Sequence, residues 1–256
     1  MASKLRPIVK MHGGKYYISK FIISHFPEHH IFVDCCGGGA SILLNKEPSK
    51  VEVYNDLDKN LVNIVEEIVH NTDHFLKQVN ALPYTLETFE WAKKTDSPLA
   101  ELVLRRFSRG GLRKDFAWSE RLRGGKPGDV NAWETYKKHL VDIAIRLKDV
   151  KIYNLDVLEI IKKFDATATL FYIDPTYLPE TRTVPKAYTI EMSKEQHEEL
   201  GKALQTVKGK VVLSGYWSEL YDELYKGWHM THCSVANHSG QGKVKQRRVE
   251  CLWRNF

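Results

Sequence analysis

The feature that most constrains this chain is a short apolar run that ends in an acid and leads straight into glycines. Ile31-Phe32-Val33-Asp34 is followed by two cysteines and then by Gly37-Gly38-Gly39. A strand that ends this way lets the backbone turn sharply and approach a ligand, with the acid placed to accept from it. Ala40 to Leu44 reads as the start of a helix. A second run, Val51-Glu52-Val53-Tyr54, ends at Asn55-Asp56. After it, Leu57, Leu61, Ile64, Val65 and Ile68 fall on one helical stripe up to His70. Strand, helix, strand, helix implies a parallel sheet. Upstream, Tyr17, Ile18, Phe21, Ile22 and Phe26 share a helical face that Pro27 ends.

From Thr72 to Lys148 the rhythm changes to helical patterns with no clear strand. The β/α alternation then returns. Lys151 to Tyr153 is a strand, Asp156 to Phe164 a helix and Thr169 to Ile173 a strand. Ser193 to Val207 is a helix, Lys210 to Leu213 a strand and Val249 to Trp253 a last strand. The expected architecture is α/β, a doubly wound sheet interrupted by a mainly helical insert. The 256 residues, 43% hydrophobic, suffice for one such domain with an inserted module.

Charge marks the insert. The chain carries a net +6, and the stretch from Arg105 to Lys126 has a basic excess of that same size. It holds Arg105, Arg106, Arg109, Arg113, Lys114, Arg121, Arg123 and Lys126 against Asp115 and Glu120. Concentrated positive charge is the electrostatic footprint of a polyanion site, although charge runs are also often plain solvated surface. Elsewhere the composition excludes more than it suggests. The N-terminus opens no apolar run of signal-peptide length, and no stretch approaches the roughly 20 residues of a membrane span. A soluble protein of the cytoplasm is the expectation, with no membrane partner. Cys35, Cys36, Cys233 and Cys251 form no C-x-x-C pair, and the histidines have no zinc-binding spacing, so no metal site is expected.

Two further places carry chemistry. Asp56 ends the second strand at the position where nucleotide-binding sheets meet ribose hydroxyls, though it or Asp58 could equally cap the following helix. The most specific string is Tyr172-Ile173-Asp174-Pro175-Thr176-Tyr177. Here a strand ends in Asp-Pro with an aromatic three positions after the acid. Carboxyl ends of strands are where open α/β sheets place ligands. A carboxylate and a nearby carbonyl can hold the two protons of an exocyclic amine, and a tyrosine can stack on its ring. The glycine turn lacks G-x-G-x-x-G, which disfavours a nicotinamide dehydrogenase.

In this order, the motifs resemble those of the Dam-type (D12 class) N6-adenine DNA methyltransferases, most closely the phage-type members. His12-Gly13-Gly14-Lys15 is similar to the family's N-terminal G-G-K segment, and Phe32 to Ser41 to its FVEPFxGxGA pattern. Asn55-Asp56, Asn154-Leu155-Asp156 and Asp174 to Tyr177 resemble its ribose-binding, adenine-binding and D-P-P-Y motifs. Tyr188 to Leu200, Leu213 to Tyr216 and Glu250 to Phe256 look like its later segments. The departures are Cys35-Cys36 in place of Pro-Phe, Ala40 in place of the last glycine, and Thr176 in place of the second proline.

The resemblance implies a Rossmann-like methyltransferase sheet built from residues 1–71 and 149–256. It implies a mainly helical target-recognition insert at 72–148. It implies S-adenosylmethionine (AdoMet) as cofactor, double-stranded DNA as partner, and a monomer or weak dimer in a bacterial host or phage-infected cell. Met11, Lys15, Asp34, Gly38, Asp56, Asp156 and Asp174 would contact the cofactor. Asp174 and Pro175 would accept from the target amine of a flipped adenine, and Tyr177 would stack on it. Arg105, Arg109, Arg113, Arg121, Arg123 and Lys126 would contact DNA, with Lys243, Lys245, Arg247 and Arg248 as further backbone contacts. Leu178 to Tyr188 would close over the base. An N4-cytosine methyltransferase, an RNA substrate and a DNA-binding relative that transfers nothing are the alternatives.

Overall fold

A computed structural model of the chain describes residues 4–181, 190–236 and 247–256. After a 3-10 turn at Lys15–Ile18, α1 is Ser19–Ile23, β1 Ile31–Asp34, β2 Val51–Asn55 and α2 Lys59–His70. Then follow α3 (Thr72–Ala81), α4 (Leu86–Lys93), α5 (Pro98–Phe107), β3 (Leu122–Arg123), β4 (Lys126–Pro127) and α6 (Gly128–Leu147). The last part holds β5 (Lys151–Tyr153), α7 (Val157–Phe164), β6 (Thr169–Ile173), α8 (Lys194–Leu204) and β7 (Lys210–Gly215). It closes with α9 (Glu219–Leu224), β8 (His229–Ala236) and β9 (Arg247–Arg254).

Seven strands form one sheet in the order β5-β2-β1-β6-β7-β9-β8. The first five are parallel, and β9 runs antiparallel between β7 and β8. Sheet order reverses beside β1, so the carboxyl ends of β1, β2, β5 and β6 open onto one crevice. This is a Rossmann-like α/β architecture, with a strand order that the sequence pattern leaves open. β6 is buried at every position, as its unbroken apolar run requires of a central parallel strand. In α2 the stripe Leu61, Val62, Ile64, Val65 and Ile68 is buried, and Asp58 caps the helix by accepting from the Asn60 amide. Asp56 is thereby left for another task.

Three details differ from the sequence reading. Ala40–Leu44 makes one helical turn and no named helix, because the Asn45 side chain reaches back to the Ser41 and Leu5 carbonyls. The sequence pattern does not reveal β8, since its alternating polar residues lie on an edge strand. Within 72–148 the helices are joined by a two-stranded hairpin, β3 with β4. These helices fold onto the sheet rather than away from it. Phe75, Phe89, Phe107, Trp133 and Leu140 belong to the same buried cluster as Phe32, Tyr54, Ile64 and Leu170. Arg146 of α6 is ion-paired with Glu52 of β2, which Lys46 holds at 2.6 Å. The part left exposed is the segment around Arg109 and the hairpin.

Among the described residues no helix is long and apolar enough to cross a membrane. The expected closing loop at Leu178 to Tyr188 falls mostly outside the described residues, as do Lys243 and Lys245 and the side chains of Arg247 and Arg248.

Candidate active site

Three loops at the carboxyl ends of β1, β2 and β5 are tied together by side chains. Asn55, at the end of β2, donates to the Cys35 carbonyl at 2.8 Å and the Leu155 carbonyl at 3.0 Å, and accepts from the Leu155 amide. Asn154 donates to the carbonyls of Asp56 and Leu57. The Tyr54 hydroxyl donates to the Gly38 carbonyl at 2.8 Å. The N-terminal segment lies over the glycine turn, where the Ile8 amide donates to the Gly39 carbonyl. Gly38 has φ +50, and a Cβ there would sit 3.2 Å from the Met11 sulfur. The turn therefore needs glycine both for its backbone and for close packing. Ala40 keeps the left-handed φ of +57 in place of the family's glycine. The turn is retained, at a strain of roughly 1–2 kcal/mol.

The loops enclose a cavity of about 290 Å³. Its wall includes Met11, Lys15, Asp34, Gly38, Asp56, Asp156, Asp174 and Pro175, which the sequence scatters over more than half the chain. Leu112, Arg113 and Lys114 of the insert also line it. The turn at Arg109–Gly111 brings them there. A Cβ on Gly111 would fall 1.9 Å from the Lys10 carbonyl oxygen, so glycine is what lets the insert dock on the N-terminal segment.

Asp56 accepts from the Gly38 and Asp58 amides, each at 2.8 Å, and burial raises its pKa to about 6. Asp34 is 2% exposed, and its Oδ1 has no hydrogen-bond partner among the described residues. Burial, with Asp174 and Asp56 nearby, drives its pKa well up. Asp156 caps α7 in a reciprocal box with Glu159, which fixes its carboxylate at the cavity edge. Burial keeps the Cys35 and Cys36 thiols protonated by raising both pKa values.

Asp174 follows β6. Its Oδ1 accepts from the Ser214 hydroxyl at 2.9 Å and pairs with the Lys15 ammonium at 2.8 Å. Tyr172 lies 3.0 Å behind Ser214, hydroxyl to hydroxyl. Two donors on Oδ1 orient the carboxylate and leave Oδ2 for a further donor. Thr176 uses its hydroxyl to accept from the Met192 amide at 2.8 Å, so the residue that replaces proline anchors a neighbouring segment.

Tyr177 is beside the cavity rather than on its wall. It is 4% exposed, packs edge-on against Tyr216, lies under Lys15 and donates to Glu250. Sequence reasoning misses Ser214 and Glu250 as site residues, although both lie in segments that carry the resemblance.

The expected DNA contacts divide. Arg109, Arg121 and Lys126 are exposed, and Arg123 lies on the hairpin. Arg113 is half-buried and pairs with Glu101 at 3.1 Å. Arg105 is a correction. It is 4% exposed and held between Asp58 at 2.7 Å and Glu101 at 2.6 Å, so its charge is spent inside the protein. Among the described residues no group of His, Cys, Asp or Glu could hold a metal ion.

Solved structures with a similar course include an rRNA methylase from Streptococcus thermophilus. It is 12% identical, with 99% of each chain covered and a TM-score of 0.37. The rRNA methyltransferase aviRa from Streptomyces viridochromogenes is 10% identical over 96% of this chain and 89% of that one, with a TM-score of 0.38. A SAM-dependent methyltransferase from Agrobacterium tumefaciens is 9% identical over 93% and 59%, with a TM-score of 0.36. No curated protein matches the chain. A family does: the sequence model of the D12 class N6 adenine-specific DNA methyltransferases matches residues 12–96 and 128–238. The stretch it passes over, 97–127, holds the whole of the basic segment. With most of its length matched, including every motif around the cavity, the chain belongs to the D12 class of N6 adenine-specific DNA methyltransferases.

Proposed function

We propose that this enzyme moves a methyl group from AdoMet to the N6 amine of an adenine flipped out of a specific duplex DNA sequence. The observation that carries this reading is Asp174, a cavity carboxylate whose Oδ1 is fixed by Lys15 and Ser214 while Oδ2 remains available.

AdoMet is the cofactor of the family, and the residues present fit it. The buried Asp34 Oδ1 lacks a donor, which the methionine ammonium would supply. Asp56 would accept from ribose hydroxyls and Asp156 from the adenine amine, with Met11, Lys15 and Gly38 around them. When bound, the cofactor supplies an electrophilic methyl group on a sulfonium. The rest falls to the chain. The N6 lone pair of adenine is delocalised into the ring. Asp174 and the Pro175 carbonyl would accept hydrogen bonds from the two amine N–H groups and draw the nitrogen towards a tetrahedral geometry, and once alkylated the nitrogen would release one of those protons to solvent. The lone pair is then available for in-line attack, and no covalent enzyme intermediate is needed. Positioning and electrostatic complementarity supply most of the rate. Flipping the base costs a few kcal/mol, and Tyr177, buried beside the cavity, would return roughly 1–3 kcal/mol by stacking only once its ring face is uncovered. The exposed part of the insert, with Arg109, Arg121 and Lys126, is the proposed DNA-reading surface, with Arg123 on the same hairpin, and Arg113 would reach the DNA next to the cavity. We read the enzyme as a monomer or weak dimer of the bacterial or phage-infected cytoplasm.

Tritium transfer from labelled AdoMet to unmethylated duplex DNA, followed by nucleoside analysis, tests the reading. Label in N6-methyladenine is expected, and Asp174→Ala should lower the rate on the order of 10²–10³-fold. Label in N4-methylcytosine would select the cytosine enzyme. No label with both ligands bound would select a relative that binds without transferring.

A further inference from the structure

Glu250 is a buried carboxylate that the reading above leaves without a task. It sits on β9 opposite Cys233 of β8 and is 5% exposed. Its neighbours along the strand, Cys251, Leu252 and Trp253, are packing residues. A carboxylate in such a place costs several kcal/mol unless it is paired. Its partners are specific. Its Oε1 lies 3.5 Å from the Lys15 ammonium and accepts the Tyr177 hydroxyl. Lys15 is in turn 2.8 Å from Asp174 Oδ1 and 4.8 Å from the centre of the Tyr177 ring. Glu250 therefore reaches both companions of the proposed acceptor without lining the cavity.

We propose that Glu250 is a positioning residue for methyl transfer, holding Lys15 against Asp174 Oδ1 and setting the tilt of the Tyr177 ring through its hydroxyl. The role rests on the reading of Asp174 as the amine acceptor. The Lys15 ammonium also donates to the Gly13 carbonyl at 2.9 Å, and held by that carbonyl and one carboxylate it could still swing about the line between them. Placed between two carboxylates, it is confined to one position, and Asp174 Oδ1 is confined with it. Oδ2 is then presented to the target amine in a fixed direction. Burial raises the pKa of Glu250, and the nearby Lys15 pulls it back towards the ionised form. The pairing is thus part of what keeps the anion in place.

The test compares Glu250→Ala, Glu250→Gln and Tyr177→Phe with the wild type. Thermal midpoint, AdoMet affinity, DNA affinity and single-turnover methylation are measured for each. Glu250→Ala is expected to slow methylation on the order of 100-fold, the usual cost of misplacing a reacting group by about 1 Å. Both affinities should stay near wild type. Glu250→Gln keeps the shape and an acceptor for the tyrosine hydroxyl and should recover most of the rate. A wild-type rate in Glu250→Ala overturns the proposal. So does a loss of AdoMet affinity that matches the rate loss, or a glutamine variant no better than alanine. If the alanine variant does not fold, Glu250→Met, which keeps the volume but has no acceptor, alone and combined with Tyr177→Phe decides. Less-than-additive losses support a shared clamp, and additive losses overturn it. A wild-type reaction yielding no N6-methyladenine overturns the reading of Asp174, and the role of Glu250 with it. Wild-type methylation beside an undiminished alanine variant overturns the role alone.

Discussion

Asp56 accepts two backbone amides inside the cavity, yet burial outweighs them and raises its pKa to about 6. The consequence has opposite signs with and without cofactor. In the empty protein the native pKa lies above the unfolded value of about 3.8. The native state therefore holds the proton more tightly, so this group's contribution is full at low pH and is lost as pH rises through about 6. A ribose hydroxyl needs the ionised form as acceptor, so AdoMet affinity should fall as pH drops below about 6, by up to tenfold per unit. The rise in thermal midpoint produced by AdoMet should accordingly be larger at pH 7.5 than at pH 5.5. Asp34 shares the cavity and also has a raised pKa. Asp56→Asn separates the two: its weak AdoMet binding should lose most of this pH dependence. A variant as pH-dependent as the wild type would move the titration to another group. At this scale the sequence is ambiguous in a simple way. Asp56 and Asp58 both suit a helix cap, and only the fold shows that Asp58 takes it.

α5 shows why charge alone misleads about an element. Its Arg105 and Arg106 belong by sequence to the basic stretch, but both lie on the inner face of the helix. Arg106 packs on the Tyr136 ring at 3.6 Å and donates to the Ile8 carbonyl, and Arg105 joins Asp58 to Glu101. The local clue is Glu101, one helical turn before Arg105, but Asp58 lies 47 residues away and no local pattern reveals it. β8 is hidden for a related reason, since an edge strand need not carry an apolar run. By contrast β1 and β6 are legible because central parallel strands read as near-continuous apolar runs. Arg105→Ala would leave the buried Asp58 carboxylate without its ion pair and Glu101 with Arg113 alone, and should cost about 3 kcal/mol, read from denaturant unfolding. The folded fraction should bind DNA with an unchanged salt dependence. Gly111→Ala should act elsewhere. With φ +74 and the Lys10 carbonyl in the way, a methyl group there must shift the insert turn off the N-terminal segment. DNA methylation and AdoMet binding should both weaken, because Leu112, Arg113 and Lys114 line the cavity. A variant with normal values for both would show that this docking is dispensable.

For the whole molecule, one arrangement joins the two halves of the proposed activity. The parallel strands deliver their carboxyl ends to the cavity, and the Arg109–Gly111 turn brings Leu112, Arg113 and Lys114 of the same basic segment to its wall. The strands and the charge are legible along the chain, but their juxtaposition depends on strand order and on the packing of α3, α5 and α6 against the sheet. Binding energy gained along the DNA backbone can then be used next to the flipped base rather than at a distant site. If the hairpin supplies that energy, its contribution is electrostatic and separable from chemistry. Reversing Arg121 and Lys126 together to glutamate should weaken DNA binding. It should also flatten the slope of log K against log salt by roughly 0.9 for each phosphate that is no longer neutralised. AdoMet affinity should stay at its wild-type value, since neither side chain lines the cavity. Single-turnover methylation at saturating DNA should also hold, because the proposed acceptors at Asp174 and Pro175 are untouched. An unchanged slope would place the polyanion contacts on another face. A methylation rate that fell even at saturating DNA would mean that the hairpin helps deliver the base as well as hold the duplex.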